Sequence, residues 1–290
     1  EWEPFNMKFD QFGNRVLEDL CDWENVKEKS QLIIMGDSFV EGIQVKNSDS
    51  FTGILQKELC RYGVRVHNFG TSSYGPVLSY AHLLQQDKVN SKLKLSSSSV
   101  FINVLFENDI ADDRDFYKYS QEAKGKIFTV GTSHKLSFLQ KLNRRFYFVR
   151  LIRRFHLTIL KSLEKDRNVG FKKINNHKFS IHDECMYSEK DLYITKKFIK
   201  RIRDFSFSKG SSFFLTAIPY DSKRAIVTNY GCYKTIAKEQ NIPFIDAPNG
   251  FFEDPNSYFF EIDIHLNKKG NELLAAKIID FLQINTELID

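Results

Sequence analysis

Five short apolar runs, each followed by a helix-forming stretch, constrain this chain more than any other feature of it. The runs are LIIM (32–35), VRVHNFG (64–70), SVFINVLF (99–106), SSFFLTAIP (211–219) and IPFID (242–246). Between and after them lie helical patterns at 50–63, 76–86, 191–210, 225–240 and 267–283. Ser50 is a natural N-cap and Gly63 a natural stop, while Pro76 suits a first helical turn. Strands of about five residues separated by helices give βαβ units, and βαβ units give a parallel sheet with helices on both faces. The expected fold is therefore a flavodoxin-like, three-layer α/β/α sandwich around a five-stranded, mostly parallel sheet. Residues 1–290 read as a single domain. The alternation lapses only at about 111–190, which reads as a basic helical insertion with an amphipathic helix at 136–160.

Length and composition set the bounds. The chain has 290 residues, 42% of them hydrophobic and 27% charged, enough for a substantial core. No run of about 18 apolar residues is present, so no membrane-spanning helix is expected. The sequence begins at Glu1 rather than Met. Any targeting segment is expected upstream, with the protein extracytoplasmic or membrane-associated in a bacterium. Cys21, Cys60, Cys185 and Cys232 are scattered without a CxxC pair. They read as small buried thiols, the even number permitting disulfides without arguing for them. Residues 141–178 hold twelve Lys/Arg against Glu164 and Asp166, so the rest of the chain is net acidic although the whole is +5. Such a segment is either a solvated helix face or a surface that meets anionic lipid or an acidic polymer. Nucleic acid is not expected as a partner, because no reading motif accompanies the charge.

The chemistry collects at strand ends. The first run stops on Gly36-Asp37-Ser38, the second runs into Asn68-Phe69-Gly70-Thr71-Ser72-Ser73, and the third ends at Asn108-Asp109. In a parallel sheet these ends share one edge, where open α/β sheets bind their ligands. Asp263-Ile264-His265 precedes the last helix. A hydroxyl, an imidazole, a carboxylate to orient it and amide donors are the parts of acyl-transfer chemistry. Acidic residues at 107–115 (ENDIADDRD) read as a solvated loop, since their spacing does not match a calcium loop. No Gly-x-Ser-x-Gly elbow surrounds Ser38, and no phosphate-binding glycine loop is present. The other six histidines (67, 82, 134, 156, 177, 182) carry no partner pattern. No metal and no cofactor are expected.

These motifs resemble those of the SGNH, or GDSL-type, hydrolase superfamily, over about residues 8–283. The resemblance implies Ser38 as nucleophile, with His265 and Asp263 completing a triad. It also implies an oxyanion hole from the backbone N–H groups of Ser38 and Ser73 and the side-chain amide of Asn108. Gly36, Asp37 and Asp109 would be supporting residues. Two departures stand out. The family's usual glycine, five residues after the asparagine of its second motif, is Ser73 here, which leaves Gly70 as an alternative donor. The acid and histidine are spaced Asp-x-His rather than Asp-x-x-His. That shorter form, in DIHLNKKG (263–270) with the lead-in FDQFGNR (9–15), resembles a bacterial branch that includes alginate O-acetyltransferases. The expected activity is hydrolysis of a carboxylic ester, on an O-acylated glycan or a small ester. The alternatives are transfer of acetyl to a cell-envelope polysaccharide, or a non-catalytic binding module on the same scaffold.

Overall fold

The computed structural model describes residues 5–90, 93–123, 126–129, 185, 187–219, 229–261 and 263–289. In chain order the elements begin with β1 (Ser30–Gly36), α1 (Ser38–Glu41), α2 (Phe51–Leu59), β2 (Val64–Gly70), α3 (Pro76–Val89), β3 (Val100–Leu105) and α4 (Asp109–Tyr119). A short antiparallel hairpin follows, β4 (Ser120–Ala123) with β5 (Lys126–Thr129). The chain continues with α5 (Glu189–Ser208), β6 (Ser212–Ala217), α6 (Tyr230–Glu239), β7 (Phe244–Ile245), α7 (Gly250–Glu253), α8 (Pro255–Tyr258) and α9 (Lys268–Asn285). The basic helix expected at 136–160, and nearly all of the basic segment, lie outside the described residues.

The main sheet is five-stranded and wholly parallel, in the order β2-β1-β3-β6-β7. Every residue of β1 and β3 is buried. That explains why both read as unbroken apolar runs rather than alternating ones: a parallel strand covered on both faces has no wet side. Helices α3, α4 and α5 pack together, and the side chains of Arg203 and Gln240 tie α5 to the end of α6. Helix α2 packs with α9, whose Phe281 ring meets Phe214 of β6 at 5.1 Å. The sheet is thus the middle of three layers. Among the described residues no helix is long and apolar enough to cross a membrane.

The strand order matters for the site. From β1 the chain moves outward to β2, then returns to the other flank of β1 as β3. The order reverses between β1 and β3, and a crevice opens at the carboxyl ends of strands where this happens. Ser38 follows β1 and Asn108 follows β3, so both stand at that crevice.

Two expectations fail. Residues 107–115 do not form a solvated loop: α4 starts at Asp109, and Asp109 and Asp113 are buried at 0% and 1% exposure. Helix α4 packs against α3 and α5, and its inward acids are absorbed by specific donors. The Val77 N–H and the Thr195 hydroxyl both donate to Asp113, at 2.9 and 2.6 Å. The lapse in alternation therefore begins after α4, not at 111. The cysteines are not thiols either. Cys21 is bridged to Cys60 and Cys185 to Cys232, because the fold brings residues 39 and 47 apart in sequence to Cα separations of 5.5 and 4.3 Å.

The edge strand β2 is shielded by the lead-in segment. Phe9 and Arg15 form an antiparallel bridge, and Arg15 bridges on to Asn68. This covers part of an edge that would otherwise offer unpaired backbone groups.

Candidate active site

β1 ends at Gly36, just before Ser38, where a side chain cannot fit. A Cβ on Gly36 would lie 2.5 Å from the Val104 carbonyl oxygen of the neighbouring strand. The chain then turns sharply into the one-turn helix α1. Asp37 caps it, its Oδ1 accepting from Phe39 N–H at 2.9 Å, which leaves Ser38 as the first helical residue, half-buried at the sheet edge. Asp37 is itself only 2% exposed, and burial pushes its carboxyl up to about 7 against the Phe39 bond, with Asp112 and Glu41 pushing the same way.

A buried guanidinium holds the far side of this turn. Arg15, 2% exposed, donates to the backbone carbonyls of Glu41, Gly42 and Val45 and to Asn47 Oδ1. Among the described residues no carboxylate pairs with it directly; the planar fork is instead satisfied by the loop that follows α1. Burial lowers its pKa to about 10.

The second strand end is laced to the first. Asn68 Nδ2 donates to the Val40 carbonyl at 2.7 Å and to Thr52 Oγ1 at 2.9 Å. Thr71 N–H donates to the Gly36 carbonyl, and Glu41 accepts from both the N–H and the hydroxyl of Ser72. A tight turn, closed by Tyr74 N–H on the Thr71 carbonyl at 3.0 Å, then carries Ser73 at φ +63°. That left-handed conformation is one glycine adopts freely and serine does not. Gly70 serves a different end. Its N–H already donates to Asn68 Oδ1, and a Cβ there would lie 2.2 Å from Glu41 N, so it lets α1 sit against β2.

The third strand end is fixed from α6. Tyr233 donates its hydroxyl to the Phe106 carbonyl at 2.6 Å, and Asn229 donates to the Glu107 carbonyl. Asp109 Oδ2 accepts from Phe106 N–H at 2.9 Å, while its Oδ1 is buried with no hydrogen-bond partner among the described residues. Burial, then the charges of Asp37 and Asp113, hold the Asp109 carboxyl well above its ordinary value. Asn108 is half-buried and donates its side-chain amide to Asp112 Oδ2.

The histidine arrives on the loop before α9. Phe260 N–H donates to the His265 carbonyl and Asn267 N–H to the Tyr258 carbonyl, while Asn267 caps α9 by accepting from Gly270 N–H. Asp263 Oδ1 accepts from His265 N–H at 2.9 Å and is also bonded to the ring Nδ1. The other ring nitrogen, Nε2, lies 2.7 Å from Ser38 Oγ. The imidazole rests on the Phe39 ring, with centroids 4.7 Å apart. A carboxylate only accepts, so Nδ1 carries the ring proton and Nε2 is left to accept from the serine hydroxyl.

The structure thus brings together Ser38, His265 and Asp263, with Ser73 and Asn108 on the adjoining strand ends. Asp37 and Asp109 lie beneath them as buried supports. Arg15, Glu41, Asp112 and Asp113 were not singled out from sequence. Of these, only Asp112 carries a legible signal: it stands four residues after Asn108, one helical turn away.

No protein-family model matches the chain. No curated protein matches it either. Among solved structures it is similar to TesA (12% identity, TM-score 0.49, covering 88% of this chain and 98% of that one). It is also similar to a protein from Desulfitobacterium hafniense DCB-2 described as lipolytic and of the G-D-S-L family (12%, 0.47, 86% and 98%). Another similar structure is Axe2, an acetylxylan esterase from Geobacillus stearothermophilus (13%, 0.45, 92% and 99%). At these identities and scores no chemistry transfers from those proteins to this one.

Proposed function

We propose that the chain is a serine esterase of the SGNH type, acting through an acyl-enzyme. The observation that carries the reading is the unbroken relay from Ser38 Oγ through His265 to Asp263. His265 Nε2 takes the hydroxyl proton as Ser38 Oγ attacks an ester carbonyl. Asp263 holds the ring in the tautomer this requires and stabilises the imidazolium that results. The negative charge gathered on the carbonyl oxygen is met by the backbone N–H groups of Ser38 and Ser73 and by the Asn108 amide; one such donor is worth about 2.7–4 kcal/mol in the transition state. The tetrahedral species collapses, the alcohol leaves with the proton held by His265, and the acyl group stays on Ser38. Water, deprotonated by the same nitrogen, then releases the carboxylic acid and restores the hydroxyl.

The substrate class we favour is an O-acylated glycan or a small ester. Ser38, Asn108 and His265 are half-buried and Ser73 is exposed, so a small acyl group can reach the hydroxyl from solvent. Two disulfides among the described residues favour an oxidising, extracytoplasmic compartment, where glycans of that kind are met. The basic segment at 141–178 fits attachment to an anionic surface, by an attraction that salt would screen.

Incubation with an aryl acetate, with and without sugar acceptors, tests the reading. Release of the phenol with stoichiometric acetate and no acceptor is the result expected of an esterase. Turnover only when a sugar hydroxyl is supplied would make the protein a transferase. No turnover in either condition, with the protein folded, would reduce it to a binding module.

A further inference from the structure

Asn108 is held at both ends by one residue. Its side-chain amide nitrogen donates to Asp112 Oδ2 at 2.5 Å, and its backbone carbonyl accepts from Asp112 N–H at 2.8 Å. Asp112 is the fourth residue after Asn108, so the double link spans the first turn of α4. Both residues stand beside the nucleophile. Phe106, two residues before Asn108, meets the Phe39 ring at 4.2 Å, and the Asp112 carboxylate is close enough to act electrostatically on Asp37.

We propose that Asp112 is a positioning residue for the reaction, anchoring one N–H of the Asn108 carboxamide so that the other is presented to the oxyanion. This rests on the esterase reading above. A carboxamide is nearly symmetric in shape, with an oxygen and a nitrogen at its two tips. Left to solvent, it would turn either tip toward the crevice, and an oxygen facing the developing oxyanion would repel it. An ionised carboxylate has no proton to give, so it bonds the nitrogen tip and rejects the oxygen tip. Because the amide is planar, fixing one N–H fixes the direction of the other. The orientation is then set before substrate arrives, which is where an oxyanion donor draws its value. The neighbouring residues fit this division of labour. Asp109 turns inward to Phe106 N–H, and Asp113 is engaged by Thr195 and Val77, so neither competes for the amide.

A double-mutant cycle on an aryl acetate tests it, with Asn108→Ala, Asp112→Ala, and both together. Asn108→Ala should lower kcat by about 10²–10³-fold. Asp112→Ala should lower kcat by about tenfold with KM within about twofold, and should cost nothing further once Asn108 is alanine, since coupled residues are non-additive. Asp112→Asn, whose own amide can donate to the oxygen tip as readily as it accepts from the nitrogen tip, should recover little of the loss. Thermal unfolding is followed for each variant. If Asp112→Ala does not fold, Asp112→Leu, which keeps the volume and the helix propensity, runs the same cycle. An Asp112 effect that persists in full without Asn108, no effect on kcat, or a faster Asp112 variant would overturn the inference. Failure of the reading beneath it looks different: Ser38→Ala would then retain activity, whatever the cycle gave.

Discussion

His265 Nε2 lies 2.7 Å from Ser38 Oγ although 227 residues separate the two in the chain. Nothing local enforces that distance. It is set by the strand order, which carries β1 to the switch point, and by the loop before α9, which is tied at Phe260 and Asn267. The predictions below probe the parts that hold these two residues in place.

Arg15 should be a stability residue with a specific geometry. Its guanidinium satisfies three carbonyls and one side-chain oxygen of the 41–47 loop. Arg15→Ala leaves buried acceptors without partners and should cost about 3–5 kcal/mol, less than the sum of about 1–3 kcal/mol for each acceptor because coupled losses do not add. Arg15→Lys should restore little, because one ammonium cannot span the fork. Chemical denaturation of the three proteins measures this. A lysine variant as stable as wild type would contradict the account.

Ser73 occupies a glycine-type position at φ +63°. Ser73→Gly should therefore keep the backbone N–H in place, retain activity and change stability by no more than about 1 kcal/mol, upward where the relief of strain exceeds glycine's entropy cost. Ser73→Val should lose both stability and kcat, since a β-branched residue is least tolerant of that conformation. Activity that is unaffected in Ser73→Val would remove this turn from the site.

The buried acids should make stability fall with rising pH. Burial raises Asp37 and Asp113 to about 7 in the folded protein, so the native state keeps protons that the unfolded chain has lost. Their contribution is fully present below the unfolded carboxyl value of about 4 and is lost as pH climbs to about 7. Asp22, Glu28 and Asp204 are shifted the opposite way, so the comparison must be between variants. Asp37→Asn keeps an acceptor for Phe39 N–H and removes the titrating group. Its Tm should vary less between pH 5 and pH 7.5 than that of wild type, as calorimetry would record. Equal slopes would mean that Asp37 titrates normally.

The Cys21–Cys60 bridge closes a loop across 39 residues. By the chain-entropy relation its loss should cost about 4 kcal/mol. Cys21→Ser with Cys60→Ser should lower the denaturation midpoint accordingly while sparing kcat, since neither residue approaches the crevice. An unchanged midpoint in the absence of reductant would show that the bridge does not form.

The outline of the fold was legible because parallel strands buried on both faces are written as continuous apolar runs, and β2 was delimited at both ends by the sequence. That Ser38, Asp263 and His265 could meet was legible because each stands where an apolar run or a helix begins or ends. Helix α4 was not. Its acids look solvated in sequence, and the donors to Asp113 lie far off in the chain, Val77 36 residues and Thr195 82 residues away. The disulfides were equally hidden, since spacing says nothing about which strands bring two cysteines together. Arg15 stands in the sequence only as the last residue of the lead-in FDQFGNR. Its role depends on carbonyls some 30 residues away, and no pattern of residue types encodes a carbonyl's direction.

Labelling with a fluorophosphonate tests the central claim most directly. The reagent forms a covalent bond with an activated serine hydroxyl and expels fluoride, so it needs the relay but no knowledge of the substrate. Peptide mapping by mass spectrometry should find one adduct, on Ser38, formed quickly in wild type and not at all in Ser38→Ala. His265→Ala should be labelled far more slowly. Labelling of another serine, or of Ser38 at an unchanged rate without His265, would contradict the assignment of Ser38 and His265 as nucleophile and base.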